Sequence, residues 1–182
     1  MDAIATPHDI IAFWKEAGPE RWFAKDEAFD AQITRRFRAT WEAAAAGALD
    51  DWAAAPDGAL ALLLVLDQFP RNMFRGTPQV YATDAKALAI ARAAIAAGHL
   101  RAFEPPMTRF FVLPLTHAED LAAQDESVAL NEALGDADGL HWARHHRDIV
   151  ARFGRFPHRN AILGRDTTPE EAAFLEENAF RG

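Results

Sequence analysis

Apolar residues in this chain recur at three- and four-residue intervals, and proline, glycine and capping residues cut that pattern into helix-length pieces. Thr6-Pro7-His8-Asp9 supplies a cap, a proline at the first helical position and an acid three residues past the cap, and Gly18-Pro19 closes the piece. Ile10, Ile11, Phe13 and Trp14 give it an inward face. A second helix is expected over 26–46, where Phe29, Ile33, Phe37 and Trp41 lie four apart and therefore stack on one side, with Gly47 at the stop. A third begins near Asp57 and is apolar on every side over 59–66, which predicts the central buried helix, with Pro70 as its stop.

Five more segments follow the same logic. A helix over 83–97 carries Leu88, Ala91, Arg92 and Ile95 on one side and ends at Gly98. Pro105-Pro106 opens another through Arg109, Phe110, Phe111 and Leu113, which Pro114 kinks or breaks. Helical spacing resumes over 118–134 up to Gly135, and again over 139–153 up to Gly154. In the latter, Trp142, His146, Ile149 and Phe153 share a face, which predicts an inward His146, beside a polar face of His141, His145, Asp148 and Arg152. A last helix starts at Thr168-Pro169-Glu170-Glu171, a capping box. No segment alternates with period two, so the expectation is one all-α domain over 1–182, with seven or eight antiparallel helices and no sheet.

Composition narrows the chemistry. The 182 residues suffice for a full apolar core, and the absence of cysteine removes disulfides, thiolate nucleophiles and zinc–cysteine sites. The longest apolar run is far short of a membrane span, and Asp2, His8 and Asp9 interrupt any signal-peptide pattern, so a cytoplasmic protein without a membrane partner is expected. A net charge of -8 argues against nucleic acid as a partner. Against that background the segment 141–165 is basic: Arg144, Arg147, Arg152, Arg155, Arg159 and Arg165 face only Asp148. There is no Gly-x-Ser-x-Gly elbow and no phosphate-binding glycine loop, and no cofactor is expected.

One short echo runs through the chain, Phe69-Pro70-Arg71-Asn72 and Phe156-Pro157-His158-Arg159-Asn160. Around it, the stretch from Leu66 through Asp67, Gln68 and Phe69-Pro70-Arg71-Asn72 to Gly76 resembles a hallmark of the bacterial proteins classed as domain of unknown function 924. So do Arg152-Phe153-Gly154-Arg155-Phe156-Pro157-His158-Arg159-Asn160, Leu163-Gly164-Arg165 and the Thr167–Glu171 stretch, and Leu113-Pro114-Leu115-Thr116-His117-Ala118-Glu119-Asp120 is similar to a third block, in which serine is commoner than Ala118. The resemblance spans nearly the whole chain. It implies an all-α fold similar to the tetratricopeptide-repeat superfamily, and it implies no reaction.

The candidate ligand-binding residues come from these motifs. Asp67 follows directly on the buried helix and needs a partner, for which Arg71 is placed, with Asn72 at the turn. Arg155, His158, Arg159 and Asn160 stand after a glycine stop, where two guanidiniums, an imidazole and an amide suit a carboxylate or phosphate. His117, Glu119 and His146 complete the set; their spacing matches no metal-binding helix motif, and no metal is expected. The favoured function is a helical binding module for an acidic small molecule or a peptide carboxylate. The alternative is a small-molecule enzyme with His117, His146 or His158 as base, Asp67 or Glu119 as its partner, and Arg155 or Arg159 stabilising negative charge. A homo-oligomer using exposed Trp22, Trp52 or Phe180 is a third reading.

Overall fold

The computed structural model describes residues 3–177. Among them there is no strand, and eleven α-helical segments stand where seven or eight were expected, because three stretches of four or five residues add to the eight longer helices. Chain contacts divide the protein into two compact units, Met1–Arg75 with Gln79–Pro114, and Gly76–Pro78 with Leu115–Gly182. No helix among the described residues is long and apolar enough to cross a membrane.

In the first unit, α1 (Pro7–Ala17) starts on the expected box, Thr6 and Asp9 exchanging backbone and side-chain hydrogen bonds. After the single turn α2 (Pro19–Trp22), Asp26 caps α3 (Glu27–Ala45) by accepting from the N–H groups of Ala28 and Phe29. The four-spaced stripe of α3 packs into an aromatic core. Phe37 and Phe69 have ring centroids 4.8 Å apart, Phe13 and Phe29 5.5 Å, and Trp14 and Trp22 stack at 6.0 Å. Trp22 is therefore buried, not an exposed contact, and its Nε1–H donates to the Trp14 carbonyl at 2.7 Å. Trp52 is half-buried against the same core, and Phe180 lies outside the described residues, as does Asp2.

The central helix α4 (Pro56–Leu63) is buried from Gly58 onward, as is everything through Phe69. Pro70 does not stop it. The chain widens into one π turn over Leu64–Gln68, closed by the Phe69 N–H on the Leu64 carbonyl, and continues as α5 (Phe69–Met73) with Pro70 at its second residue. A wider turn and a proline leave carbonyls without their usual intrahelical donors. Side chains replace them: Thr83 Oγ1, from outside the helix, donates to the Leu66 carbonyl at 2.6 Å, and Arg71, one turn on, donates to the Asp67 carbonyl. The expected stop failed because Thr83, which answers the Leu66 carbonyl, lies outside the local sequence. α6 (Asp84–Ala96) turns Ala87, Ala91 and Ala94 inward, while Arg92 is exposed. α7 (Arg109–Thr116) begins past the two prolines and runs through Pro114, ending two residues later.

The second unit is built on α8 (Leu121–Leu134) and α9 (Ala137–Phe153), capped by Asp120 and Asp136 and joined through Gly135 in the left-handed region at φ 67°. Arg147 on α9 bonds Asp125 on α8 at 2.6 Å across the antiparallel pair. The inward face of α9 is Ala143, Ile149 and Val150. Trp142, expected on that face, is 46% exposed, since the small Ala143 is the side chain buried at this level. Gly154 (φ 70°) ends α9, a Pro157–Arg159 turn leads into α10 (Asn160–Leu163), and α11 (Pro169–Glu177) follows.

Candidate functional site

The three candidates in the first unit form part of its own framework. Asp67, 1% exposed, accepts from Gln68 Nε2 at 2.6 Å and has Arg71 Nη1 3.4 Å away. Arg71 also grips Asp84 with two bonds of 3.1 Å. Burial works against its charge, but Asp67 and Asp84 hold it firmly cationic. Asn72 reaches α3 instead, donating to Asp30 at 2.7 Å, and Arg75 pairs with the same carboxylate. This arrangement ties the π turn to α3 and α6.

The other seven candidates lie in the second unit. A ladder of alternating charges closes the 154–168 segment. Glu171, the third residue of α11 and 2% exposed, accepts from Arg155 Nε at 2.6 Å and Nη2 at 2.9 Å, from Asn160 Nδ2 at 3.2 Å, and from the Thr168 N–H at 2.8 Å. The Arg155 bonds lower its pKa to about 2, aided by the Thr168 and Asn160 donors. Asn160 in turn accepts from Arg165 Nε at 3.0 Å. Arg165 forks onto Glu119 at 2.7 and 2.9 Å, and the Phe156 N–H donates to Glu119 at 2.7 Å. Burial would raise the Glu119 pKa; Arg165, the Phe156 N–H and nearby Arg159 outweigh it and hold the group ionised.

Beside this ladder, imidazoles and a guanidinium gather around the Phe156 ring. The Arg159 guanidinium lies 4.6 Å over the ring centroid, and its Nη2 donates to the His117 carbonyl at 2.9 Å. The His146 and His158 rings lie 5.5 and 5.7 Å from that of Phe156. Burial, with the charges of His117, His145 and His158, drives His146 down to about 3, although its bond to the Trp142 carbonyl opposes the shift. A carbonyl only accepts, so at 2.8 Å the His146 Nδ1 carries the hydrogen and Nε2 is the lone-pair nitrogen. Burial, followed by the charge of Arg159, lowers His158 to about 4. At neutral pH both rings are uncharged beside a buried cation.

The sequence motifs thus brought His117, Glu119, His146, Arg155, His158, Arg159 and Asn160 into one unit, but within it their duties divide. Glu119, Arg155 and Asn160 are held in the ladder; His146, His158 and Arg159 surround Phe156, and His117 offers its carbonyl to Arg159. Missed were Arg165, seen only as part of a basic run, and Glu171, seen only as a cap. Gln124 was missed altogether. It is fully buried, and its Nε2 holds the carbonyls of Thr116 and Ala118 at 2.7 Å each. Among the described residues no group of three or more His, Asp or Glu side chains is arranged to hold a metal ion.

Residues 10–179 match the family described as bacterial protein of unknown function, DUF924. The chain belongs to this family. The chain is similar to a solved structure of a protein of unknown function from Agrobacterium tumefaciens, which is 54% identical, covers 94% of this chain and 97% of its own, and superposes with a TM-score of 0.92. No curated protein matches the chain. Membership of DUF924 brings no reaction with it, so any function is argued from the site.

Proposed function

We propose that this protein is a binding module whose second unit holds a small carboxylate or phosphate compound beside Arg159. The supporting observation is the gathering of His146, His158 and the buried Arg159 around Phe156, with Arg159 also donating to the His117 carbonyl 42 residues away. Charge-assisted hydrogen bonds from a guanidinium are strong where water is scarce, and Arg159 is 7% exposed. Neutral imidazoles add directional donors and acceptors without competing charge.

The enzyme alternative has less support. A general base works best with a pKa near the working pH, and His146 at about 3 and His158 at about 4 are weak bases at pH 7. In this reading Asp67, Arg71 and Asn72 serve the stability of the first unit, and a cytoplasmic location and a tetratricopeptide-like scaffold accompany it. The test is a thermal-shift screen of small carboxylates and phosphates. A ligand that binds only the folded state raises Tm by mass action, by about 2.7 kcal/mol of stability at a hundredfold excess over Kd. The expected hits lose their effect in Arg159→Ala; hits that act equally on that variant refute the site.

A further inference from the structure

Within the second unit, α8 carries a buried polar row of Gln124, Ser127 and Asn131. Ser127 shares a 2.6 Å hydrogen bond with Thr116, and Asn131 Nδ2 donates to the Ser127 carbonyl at 2.9 Å. Gln124 differs. Its Nε2 meets the carbonyls of Thr116 and Ala118 at 2.7 Å and of Leu115 at 3.4 Å. Three carbonyls require a donor, so the amide cannot be turned the other way round. Its Oε1 therefore points away from them, buried and without a hydrogen-bond donor. A native protein seldom leaves such an acceptor unmet unless a water or a ligand supplies the hydrogen.

The place of this oxygen gives it meaning. Gln124 holds the carbonyls on either side of His117, and Arg159 holds the carbonyl of His117 itself at 2.9 Å. The 2.6 Å pair of Asp125 with Arg147 sets this turn of α8 beside the turn of α9 that carries His146. Arg159 and the Gln124 amide thus hold the same short segment.

We infer that Gln124 Oε1 accepts a hydrogen bond from the ligand, so that the ligand is a hydroxy acid or an amino acid and not a plain carboxylate. This rests on the anion-binding reading above: Arg159 takes the carboxylate, and Gln124 selects for a hydroxyl or amino hydrogen near it. Selection is strong at such a position, because a ligand lacking the hydrogen leaves the buried oxygen unpaired.

Isothermal titration of the full chain with propionate, lactate, 3-hydroxypropionate and alanine separates the possibilities. The expected result is that at least one hydroxy or amino acid binds about tenfold or more tightly than propionate. Equal affinities would overturn the selection by Gln124, pointing to an internal water at Oε1, while leaving the anion site standing. No binding by any of the four would overturn this inference, while the anion-binding reading is decided separately by the screen of carboxylates and phosphates. Gln124→Met, checked for native circular dichroism, should lose the preference, read as the ratio of hydroxy- or amino-acid affinity to propionate affinity within the variant; a folded variant that keeps that ratio would also overturn the inference. Should that variant fail to fold, the comparison of ligands on the unaltered protein decides alone.

Discussion

Replacing Glu171 by Gln should loosen the whole segment that displays His158 and Arg159. The carboxylate accepts four hydrogen bonds, two from Arg155 at 2.6 and 2.9 Å, one from Asn160 and one from the Thr168 N–H. Glutamine keeps one acceptor oxygen, turns an NH2 group toward donors, and removes the charge opposite Arg155. Loss of charge-assisted bonds costs about 1.5–3 kcal/mol, and the partial exposure of Arg155 keeps the expectation to ~2 kcal/mol. For a chain of this size that corresponds to a fall in Tm of roughly 4–8 °C. The pH dependence supplies a second readout. The folded-state pKa of Glu171 lies at about 2, below its ordinary value of 4.5, so its contribution is present above pH 4.5 and is lost as pH falls toward 2. The gap between the two proteins, read by thermal or urea denaturation, should be full at pH 7 and narrow steadily below pH 4.5. A variant within 1 °C of the original at pH 7, or a gap independent of pH, would refute the reasoning.

Three further outcomes follow from the same geometry. Thr83→Val removes the donor to the Leu66 carbonyl and the acceptor of the 3.3 Å bond from Trp41 Nε1, and should cost about 1–3 kcal/mol in urea denaturation with m unchanged; a neutral effect would mean that the π turn does not depend on it. Gly58→Ala would place a Cβ 2.1 Å from the Trp52 carbonyl oxygen, a backbone clash, and should cost about 1–3 kcal/mol or more, whereas Gly76→Ala meets nothing within 4 Å and suffers only from its φ of 76°. His146 and His158 have folded pKa values below the ordinary 6.5, so stability is complete above that pH and declines as pH falls toward 4, by up to ~1.4 kcal/mol per pH unit for each ring. Imidazole titration by NMR should find both rings neutral at pH 5.5, and a midpoint above 6 for either would contradict their burial.

Much of the helical plan was readable because its signals are local. Thr6, Asp26, Asp120, Asp136 and Thr168 cap helices through bonds spanning two or three residues, and Gly135 and Gly154 end them through their own backbone angles. Pro70 misled for the opposite reason. Its helix continues because Thr83, thirteen residues further on, answers a carbonyl that the π turn and the proline leave open. The site divides similarly. Arg155, His158, Arg159 and Asn160 stood out as an unusual polar run after a helix stop, whereas Arg165 and Glu119 pair across 46 residues, and no spacing rule reaches that far. Gln124 sits in a helix with ordinary polar neighbours, and only its burial distinguishes it.

The claim that the second unit binds an anion through Arg159 is tested most directly by isothermal titration of the best carboxylate or phosphate from the screen into the unaltered protein and into Arg159→Ala. The Ala variant should bind about 10- to 150-fold more weakly, the equivalent of 1.5–3 kcal/mol for a charge-assisted hydrogen bond. Equal affinity for the two proteins, with both folded, would contradict the account.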